Sequence, residues 1–420
     1  MTKLPDGWAP ESLSEVCLPV TKADPVSTGR KLVRYVDIGS VDGVRHRLPE
    51  VPWMDSKSAP SRCRQIVKVG DTVFSTVRPY LEKIAFVDGS LDGEFASTGF
   101  CVLRPGPQLL PRYLFHFSVS HQMLDQVLIH QRGVSYPAVL DKNVKAATIP
   151  VPPLEEQRRI VDILEDHISR LDAATGLLDL THQRLRTLRK ALWGNQFGDQ
   201  DQDKERLAEP LLDLVVIANG QTPKGLVGAL LKEPSDDTVP FYKVGDMNLS
   251  DGRLMGPTRS YVRVADARLL GLHIRKAGTV LFPKRGGAIA TNKKRLLSSE
   301  AAYDLNTMGL VPGPRLRPAY LWHWLEGIDL ARLSDGSNVP QINSPQMRGL
   351  SLSAPSLEVQ DLMVSVMDEN DQAISRVIAE MHQARSRSEQ LRLGLLAAAF
   401  SGRLTGRSSD TEMVEEMAGV

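Results

Sequence analysis

The 420-residue sequence has few cysteines, no long apolar run and a net charge of only +1. Cys17, Cys63 and Cys101 are odd in number and far apart, a pattern that fits neither a disulfide framework nor a zinc site. No stretch approaches the roughly 18 apolar residues of a membrane helix. The opening MTKLPDGWAPES has neither the basic nor the apolar part of a secretory signal, so we expect a cytoplasmic protein.

The near-zero net charge also limits the kind of partner that the chain binds through bulk electrostatics. Lys and Arg together number 51 and Asp and Glu 50, so any surface for nucleic acid must come from local basic patches. Hydrophobic residues make up 42% of the chain, enough for proper cores. The length is typical of two to four domains.

What the sequence does contain is an internal repeat. The window Gly133–Phe197 matches Gly336–Phe400 at a constant offset of 203 without a gap. Upstream, PRYLFHF (Pro111–Phe117) matches PAYLWHW (Pro318–Trp324). A collinear series of this length predicts two similar units related by a pseudo-twofold axis, and hence a partner that presents two sites in a row.

The first part of each repeat is rich in proline and glycine and predicts a mixed α+β domain. In the first copy, strands are expected at Val33–Ile38, Asp71–Val77 and Lys83–Val87, followed by a helix around Tyr113–Ile129. In the second copy, strands are expected at Val239–Val244 and Gly278–Pro283, followed by a helix around Ala319–Leu333.

The second part of each repeat predicts a long helix. After Pro152–Pro153 the chain has no further proline as far as Phe197, and leucine recurs every seventh residue at positions 164, 171, 178, 185 and 192. This spacing is typical of a coiled-coil seam. The corresponding positions of the second copy are Met367, Ile374, Met381, Ser388 and Leu395. A seam this polar disfavours a parallel homodimer, so we expect the two helices to pair with each other in antiparallel fashion.

The repeat offset suggests a register for that pairing. With residue 175 placed against residue 378, His182 lies opposite Asp371, Arg189 opposite Val364 and Ile168 opposite Arg385. A buried histidine and aspartate would satisfy each other in such a seam. The alternative is that the helices cross at an angle and that both side chains point into water.

The junction between the two parts resembles a known family. PVPPLEEQRRI (Pro150–Ile160), preceded by GVSYPAVLDKNVKAATI, is similar to the conserved region of the specificity subunits of type I restriction–modification systems. LPDGWAPESLSEV resembles the start of the first target-recognition domain of that family, and LRLGLLAAAFSGRLTG the close of its second conserved helix. The second copy, LSAPSLEVQDLM, departs from the pattern because it lacks the second proline and the basic pair.

The resemblance implies a division of the chain and a function. Residues 1–151 become target-recognition domain 1, 152–199 the first conserved long helix, 200–353 target-recognition domain 2, 354–402 the second helix and 403–420 a flexible tail. It implies that each domain binds half of an interrupted double-stranded DNA target and that the paired helices set the spacing. It also implies that two methylation subunits, which carry S-adenosylmethionine, dock on this non-catalytic chain, and that a motor–nuclease subunit can join them.

Two other classes of function were compared with this one. A single-chain methyltransferase or nuclease with a fused recognition part needs catalytic motifs, but no N/D-P-P-Y/F tetrapeptide, GxGxxG or GxxxxGK[ST] stretch occurs. A coiled-coil scaffold that binds no DNA explains the helices but leaves the basic glycine-rich loops without a role. The histidines, among them His116 and His323, show no metal spacing, so no metal site is expected.

Candidate DNA-binding residues follow from the local charge. Eight Lys or Arg and no Asp or Glu lie between Ala267 and Ser299, where arginine and asparagine can bond base edges and glycine lets the backbone approach phosphates. The first copy has a weaker basic stretch and an RHR tripeptide after a DG turn, which is equally well explained as a solvated loop. The loops Gly133–Pro137 and Gly336–Pro340, each with a glycine, a serine and a proline, either contact DNA or only join domain to helix. The candidates are Arg45, Arg47, Arg62, Arg64, Arg78, Ser135, Lys284, Arg285, Asn292, Lys293, Lys294, Arg295 and Ser337.

Candidate docking residues for a methylation subunit follow from the resemblance alone. They cluster where each long helix begins: Pro152, Leu154, Glu155 and Gln157 in the first copy, and Leu357, Glu358 and Gln360 in the second. The glutamates also suit a helix N-terminus electrostatically, and the two roles are compatible.

Overall fold

A computed structural model describes residues 4–133, 136–197, 208–250 and 252–405. The chain forms two compact units. The first comprises Met1–Asp179 and Met381–Val420, and the second comprises Leu180–Glu380. Each unit therefore contains one domain of strands and short helices together with parts of both long helices.

The domain of the first unit is built on two four-stranded sheets and a strand pair. Its strands are β1 (Ala9–Ser12), β2 (Cys17–Leu18), β3 (Leu32–Val36), β4 (Trp53–Asp55), β5 (Cys63–Ile66), β6 (Thr72–Ser75), β7 (Ile84–Phe86), β8 (Phe95–Ser97), β9 (Phe100–Pro105) and β10 (Thr148–Val151). The sheets have the orders β2-β9-β6-β7 and β4-β3-β8-β5, and β1 pairs with β10. Its helices are α1 (Leu13–Val16), α2 (Pro111–Ser118), α3 (His121–Leu128) and α4 (Asp141–Lys145), before the long helix α5 (Leu154–Phe197).

The domain of the second unit repeats this plan. Its strands are β11 (Ala208–Pro210), β12 (Val215–Asn219), β13 (Leu230–Leu231), β14 (Thr238–Tyr242), β15 (Tyr261–Arg263), β16 (Val280–Pro283), β17 (Arg295–Leu296), β18 (Ala302–Tyr303), β19 (Thr307–Pro312) and β20 (Ser351–Ser353). Its helices are α6 (Leu211–Leu214), α7 (Leu226–Ala229), α8 (Val264–Leu269), α9 (Pro318–Glu326), α10 (Leu330–Leu333) and α11 (Ser344–Arg348), before the long helix α12 (Leu357–Phe400).

Sheet topology confirms that the two domains are copies of one fold. The orders β12-β19-β16-β17 and β11-β20 match β2-β9-β6-β7 and β1-β10 strand for strand. In the other sheet, the parallel pair β14 and β18 corresponds to the parallel pair β3 and β8. The fourth strand differs, because β5 extends the first sheet beyond β8 whereas β13 extends the second beyond β15.

The single helix expected at the end of each domain is wrong in one respect, since both copies break it in two. In the first copy the break falls at Ser120, whose hydroxyl accepts a hydrogen bond from the Met123 amide and so caps α3. In the second copy Asp329 caps α10 through the Ala331 amide. The hydrophobic pattern continued across both breaks, but the capping side chains give the backbone an alternative to the helical hydrogen bond.

The two long helices form the predicted seam. Along α5, Leu164 is buried and the leucines at 171, 178, 185 and 192 are half-buried. Along α12, Met367, Ile374 and Leu395 are buried. Within the first unit α5 and α12 run antiparallel, because Asp172 bonds Arg392 and Asp179 lies 3.1 Å from Arg385. An arginine on the seam is tolerated because an aspartate of the other helix meets it.

The predicted register of the helix pair is wrong. Asp371 lies 3.2 Å from Arg189, not opposite His182, and Arg385 meets Asp179, not Ile168. The partner of Asp371 is thus two helical turns beyond the expected residue. An internal repeat requires only that both copies share one register and leaves its value open. In the observed register, arginines of one helix meet aspartates of the other, and the sequence spacing alone does not show which of them pair.

Candidate nucleic-acid interface

In the first unit the segment after β6 lies against the loop that contains Gly133 and Pro137. The Arg78 amide donates a hydrogen bond to the Pro137 carbonyl at 2.7 Å, and the Val139 amide donates to the Thr76 carbonyl at 2.9 Å. Arg132 and Ala138 close the base of the loop through two backbone hydrogen bonds. We call residues 76–80, 132–133 and 136–139 the first loop pair. It joins two candidate segments that are more than fifty residues apart in sequence.

The second unit contains the same arrangement in the same register. The Gly286 amide donates to the Pro340 carbonyl at 2.8 Å, and the Ile342 amide donates to the Lys284 carbonyl at 2.9 Å. Residues 284–287 and 335–342 are therefore the second loop pair. The shared register makes Gly286 the structural counterpart of Arg78.

Arg78 is held in an unusual backbone conformation. Its φ of 48° lies in the left-handed region, which costs free energy in a residue with a Cβ. The guanidinium lies 5.0 Å from the ring centroid of Tyr136, within the range of a cation–π interaction. The Tyr136 side chain is otherwise 73% exposed. The first loop pair thus presents an arginine and an aromatic ring side by side.

The second loop pair presents a lysine and an arginine in sequence. Lys284 is half-buried, and its ammonium donates to Asn219 Oδ1 at 2.9 Å. Burial lowers the pKa of Lys284, the adjacent Arg285 lowers it further, and Asp304 opposes both. Arg285 is exposed. The Ser337 hydroxyl lies within hydrogen-bond distance of Asp335 and of the Val339 carbonyl, so this candidate already has partners within its own loop.

Asn292 and Lys293 make internal contacts. Asn292 Oδ1 accepts the Leu330 amide at 2.8 Å, at the start of α10. Lys293, half-buried, donates to Asn248 Oδ1 at 2.7 Å. These bonds bring three segments of the domain together. A DNA contact by either residue stays a prediction.

Burial contradicts the prediction for Lys294 and Arg295. Lys294 is 0% exposed and donates to the Ile328 carbonyl at 2.7 Å, while Arg295 is 7% exposed and donates to the carbonyls of Lys294 and Ser250. Burial lowers the pKa of Lys294 to about 8, although the charges of Glu326 and Asp329 act in the opposite direction. Neither side chain presents its charge to a ligand in this conformation. Both instead donate hydrogen bonds to backbone carbonyls inside the domain.

We expect Lys294→Ala to destabilise the second unit without changing the salt dependence of DNA binding. The substitution leaves the Ile328 carbonyl without its donor and removes the positive charge that faces Glu326, a change of a few kcal/mol in unfolding free energy. Denaturant unfolding measures the first effect and a salt titration the second. An Arg285→Ala control reverses the pattern, since Arg285 is exposed. A flattened salt slope in Lys294→Ala would show that its ammonium reaches DNA.

The remaining first-copy candidates lie away from the first loop pair or outside the described residues. Arg62 is exposed just before β5, and Arg64, on β5, is 3.0 Å from Asp24. Ser135 lies outside the described residues. DNA contacts by these three residues stay predictions.

The RHR tripeptide lines a cleft of about 1250 Å³ within the first unit. Arg45 lies 4.0 Å from Asp179 of α5, and Arg47 is exposed on the same wall. His46 is partly buried, with its pKa lowered chiefly by burial and next by the charge of Arg392. The opposite wall is the helix pair. The tripeptide therefore faces the helices, and its contact with DNA stays a prediction.

The structure contradicts a docking role for the two repeated glutamines. Gln157 is 0% exposed: its Oε1 accepts the Leu110 amide at 2.8 Å, and its Nε2 donates to the carbonyls of Gln108 and Pro152. Gln360, also 0% exposed, makes the same three bonds to Arg317, Arg315 and Pro355. Each glutamine fastens the start of a long helix to the loop before the helix that closes the domain.

The other docking candidates divide by exposure. Pro152 is buried, so a direct contact with another subunit is contradicted for it as well. Glu155 and Glu358 are exposed, Leu154 is 37% exposed and Leu357 is half-buried. These four residues remain accessible, and their docking role stays a prediction.

A histidine on each domain contacts an acid on the adjoining long helix. His323 Nε2 lies 2.7 Å from Asp368, which also receives two bonds from Arg253. His116 Nε2 lies 3.6 Å from Glu165, at the equivalent place in the first unit. Both histidines are buried, as expected for polar members of a helix face. The pairs join domain to helix in each unit.

We expect the stability of the second unit to fall as the pH drops below about 6.5. Burial lowers the pKa of His323 from its ordinary 6.5, although the hydrogen bond to Asp368 acts in the opposite direction. The unfolded chain therefore takes up a proton at a higher pH than the folded chain does, and acid favours unfolding by up to about 1.4 kcal/mol per pH unit. Denaturant unfolding at several pH values measures this slope. In His323→Gln the slope between pH 6.5 and the lowered pKa should shrink, and an unchanged slope would refute the assignment.

Sequence reasoning missed Tyr136 and Arg132. Both are exposed; Arg132 directly precedes Gly133, and Tyr136 directly precedes Pro137. The alignment of the repeats placed Tyr136 against Val339, so a difference between the two copies was visible in the sequence.

Among the described residues, none of the helices is long and apolar enough to cross a membrane. Within the same residues, no group of three or more His, Cys, Asp or Glu side chains is placed to hold a metal ion.

A family model and curated relatives that match this chain all describe specificity proteins of type I restriction systems. Residues 44–180 match the family model described as the type I restriction modification DNA specificity domain. The specificity subunit of the type I restriction enzyme HindI from Haemophilus influenzae is 24% identical over 239 residues, which are 54% of this chain and 50% of that protein. The EcoKI specificity subunit of Escherichia coli is 26% identical over 112 residues, 26% of this chain and 24% of that one. The matches thus span at most about half the length of these curated relatives.

Solved structures match over nearly the whole chain. A chain from a study of complex assembly and conformational transition of the type I R-M system is 28% identical, with a TM-score of 0.82, over 96% of this chain and 100% of that one. The HsdS subunit of Thermoanaerobacter tengcongensis is also 28% identical, with a TM-score of 0.58, over 96% and 98% of the two chains.

Proposed function

We propose that this chain is the DNA-reading component of a type I restriction–modification complex, because it is similar to the specificity subunits of such systems. Each domain binds one half of an interrupted double-stranded target. The chain performs no chemistry itself. It directs methylation subunits, which supply the S-adenosylmethionine-dependent reaction, and a motor–nuclease subunit joins the complex when restriction is required.

The proposal rests on one observation: the first and second loop pairs are built in the same way. In each unit the segment after β6 or β16 is bonded to the loop that ends at Pro137 or Pro340. The register is the same in both units, and the segment carries exposed or half-exposed cations. Arginine at such positions bonds phosphates and guanine edges, and backbone amides near glycine approach phosphates closely. Two copies of one such surface suit a target that has two halves.

Docking of methylation subunits is assigned to the exposed residues where the long helices begin. Glu155 and Glu358 are accessible in both copies, as is Leu154. The first copy also carries the exposed pair Arg158 and Arg159, which the second copy lacks. A partner that uses these charges binds the first copy more tightly than the second.

A methylation assay separates this proposal from a single-chain enzyme. The purified full chain is incubated with S-adenosylmethionine and host DNA from a strain that lacks the gene, with and without its methylation subunit. We expect methyl transfer only in the presence of that subunit. Transfer by the chain alone would place the catalytic site in this chain. An absence of DNA binding by both the chain and the complex would favour a scaffold.

A further inference from the structure

The most exposed aromatic side chain of the first loop pair is that of Tyr136. This residue is 73% exposed. Tyr136 lies within the loop that the backbone hydrogen bonds between Arg132 and Ala138 close. Ile129 and Leu140, on either side of the loop in sequence, are 78% and 56% exposed. Exposed apolar side chains around one loop point to a contact surface.

The ring has a defined neighbour. The Arg78 guanidinium lies 5.0 Å from its centroid, and the Arg78 backbone is fixed in the left-handed region by the hydrogen bond to Pro137 and by the Leu81 amide, which donates to its carbonyl. Strain of this sort persists where the surroundings impose it, and it clusters at ligand-binding sites. Arg132, exposed at the loop base, adds a second guanidinium.

An aromatic ring beside a guanidinium group is suited to nucleic acid. The guanidinium groups attract phosphates, while the ring offers an apolar face to nucleobases. Apolar side chains that protrude from DNA-binding proteins contact bases in a groove or enter a base step. An acidic peptide would use the charges but would leave the ring exposed.

The second loop pair lacks this feature. At the equivalent positions it has Val339 for Tyr136 and Gly286 for Arg78, and its charges sit instead on Lys284 and Arg285. The two half-sites are therefore contacted by different chemistry. The first involves an aromatic ring and the second relies on cations.

We propose that Tyr136 makes an apolar contact with the nucleobases of the half-site bound by the first unit, and that Arg78 positions its ring. The proposal rests on the DNA-reading function above and assigns one residue within it. An apolar contact releases no counterions, so its contribution to affinity does not depend on salt concentration.

The test compares variants of the full chain, in complex with its methylation subunits, on a duplex that carries the sequence this complex methylates in host DNA. Tyr136→Ala should weaken binding by roughly 10-fold or more at every salt concentration, with an unchanged salt slope. Tyr136→Phe, which keeps the ring, should bind like the wild type. Arg78→Ala should lower the slope by about 0.9 as well as the affinity if its guanidinium also pairs with a phosphate.

Trp53→Ala is the matched control. Trp53 is 54% exposed and carries its own cation–π partner, with Arg34 at 4.6 Å, but it lies on β4 at the edge of the other sheet. It should bind as the wild type does. Wild-type affinity in Tyr136→Ala, or an equal loss in Trp53→Ala, would overturn the inference while the DNA-reading function stood. If the wild-type complex binds no duplex at all, the proposed function and this inference fall together.

Discussion

Gln157→Ala should destabilise the first unit by about 3 kcal/mol, and Gln360→Ala the second by a similar amount. Each glutamine is fully buried and makes three hydrogen bonds to backbone groups. Truncation leaves a backbone amide and two carbonyls without their partner and opens a cavity. Because these hydrogen bonds hold the start of a long helix against its domain, we expect the lost stability to weaken the contact between helix and domain.

Denaturant unfolding measures this cost, and Glu155→Ala is the control. Glu155 lies two residues earlier on the same helix, is exposed, and should change stability by no more than about 0.5 kcal/mol. Hydrogen exchange at the Leu110 amide, which donates to Gln157, should accelerate. If Gln157→Ala unfolded like the control but bound methylation subunits poorly, the glutamine would be a docking residue after all.

The Lys284→Ala, Arg285→Ala double variant should lower the affinity for target DNA and reduce the salt slope by up to about 1.8. Two cations of the second loop pair are lost, and each phosphate contact releases its condensed counterions on binding. The fold should survive, since Arg285 is exposed and Lys284 bonds only the Asn219 side chain through its ammonium.

Binding titrations over a range of salt concentrations measure both quantities. The control replaces Lys232 and Arg263, two exposed cations near or on strands of the other sheet of the same unit. That variant should keep the wild-type affinity and slope. Equal losses in both double variants would mean that the second unit attracts DNA by overall charge and that the loop pair has no special role.

Periodicity and repetition made the architecture predictable. A leucine spacing of seven and a gapless repeat specify long helices and two copies of one fold, because both are properties of the chain alone. The register of the helices was not accessible, since the leucine spacing and the repeat offset do not show which residues meet, such as Arg189 and Asp371. The helix breaks at Ser120 and Asp329 depend on side chains that cap the next helix, and a hydrophobic pattern does not reveal such caps.

The candidate site was predicted less completely because charge in a sequence does not reveal burial. In the run KKR, Lys293 is half-buried, whereas Lys294 and Arg295 enter the interior. Likewise, Gln157 and Gln360 occur at equivalent positions because both hold a long helix against its domain. From the sequence alone, this repetition is interpreted as a docking site. Arg78 and Tyr136, far apart in sequence, became neighbours only through the backbone bonds between their loops.

The central claim is that each unit reads one half of a divided DNA target, and sequencing of modified bases in host DNA tests it most directly. Host strains would carry the wild-type gene, Tyr136→Ala or Arg285→Ala. The wild type should yield a motif of two specified halves with a constant unspecified spacer. Tyr136→Ala should relax or weaken one half, and Arg285→Ala the other. A contiguous motif, or variants that both act on the same half, would contradict the account.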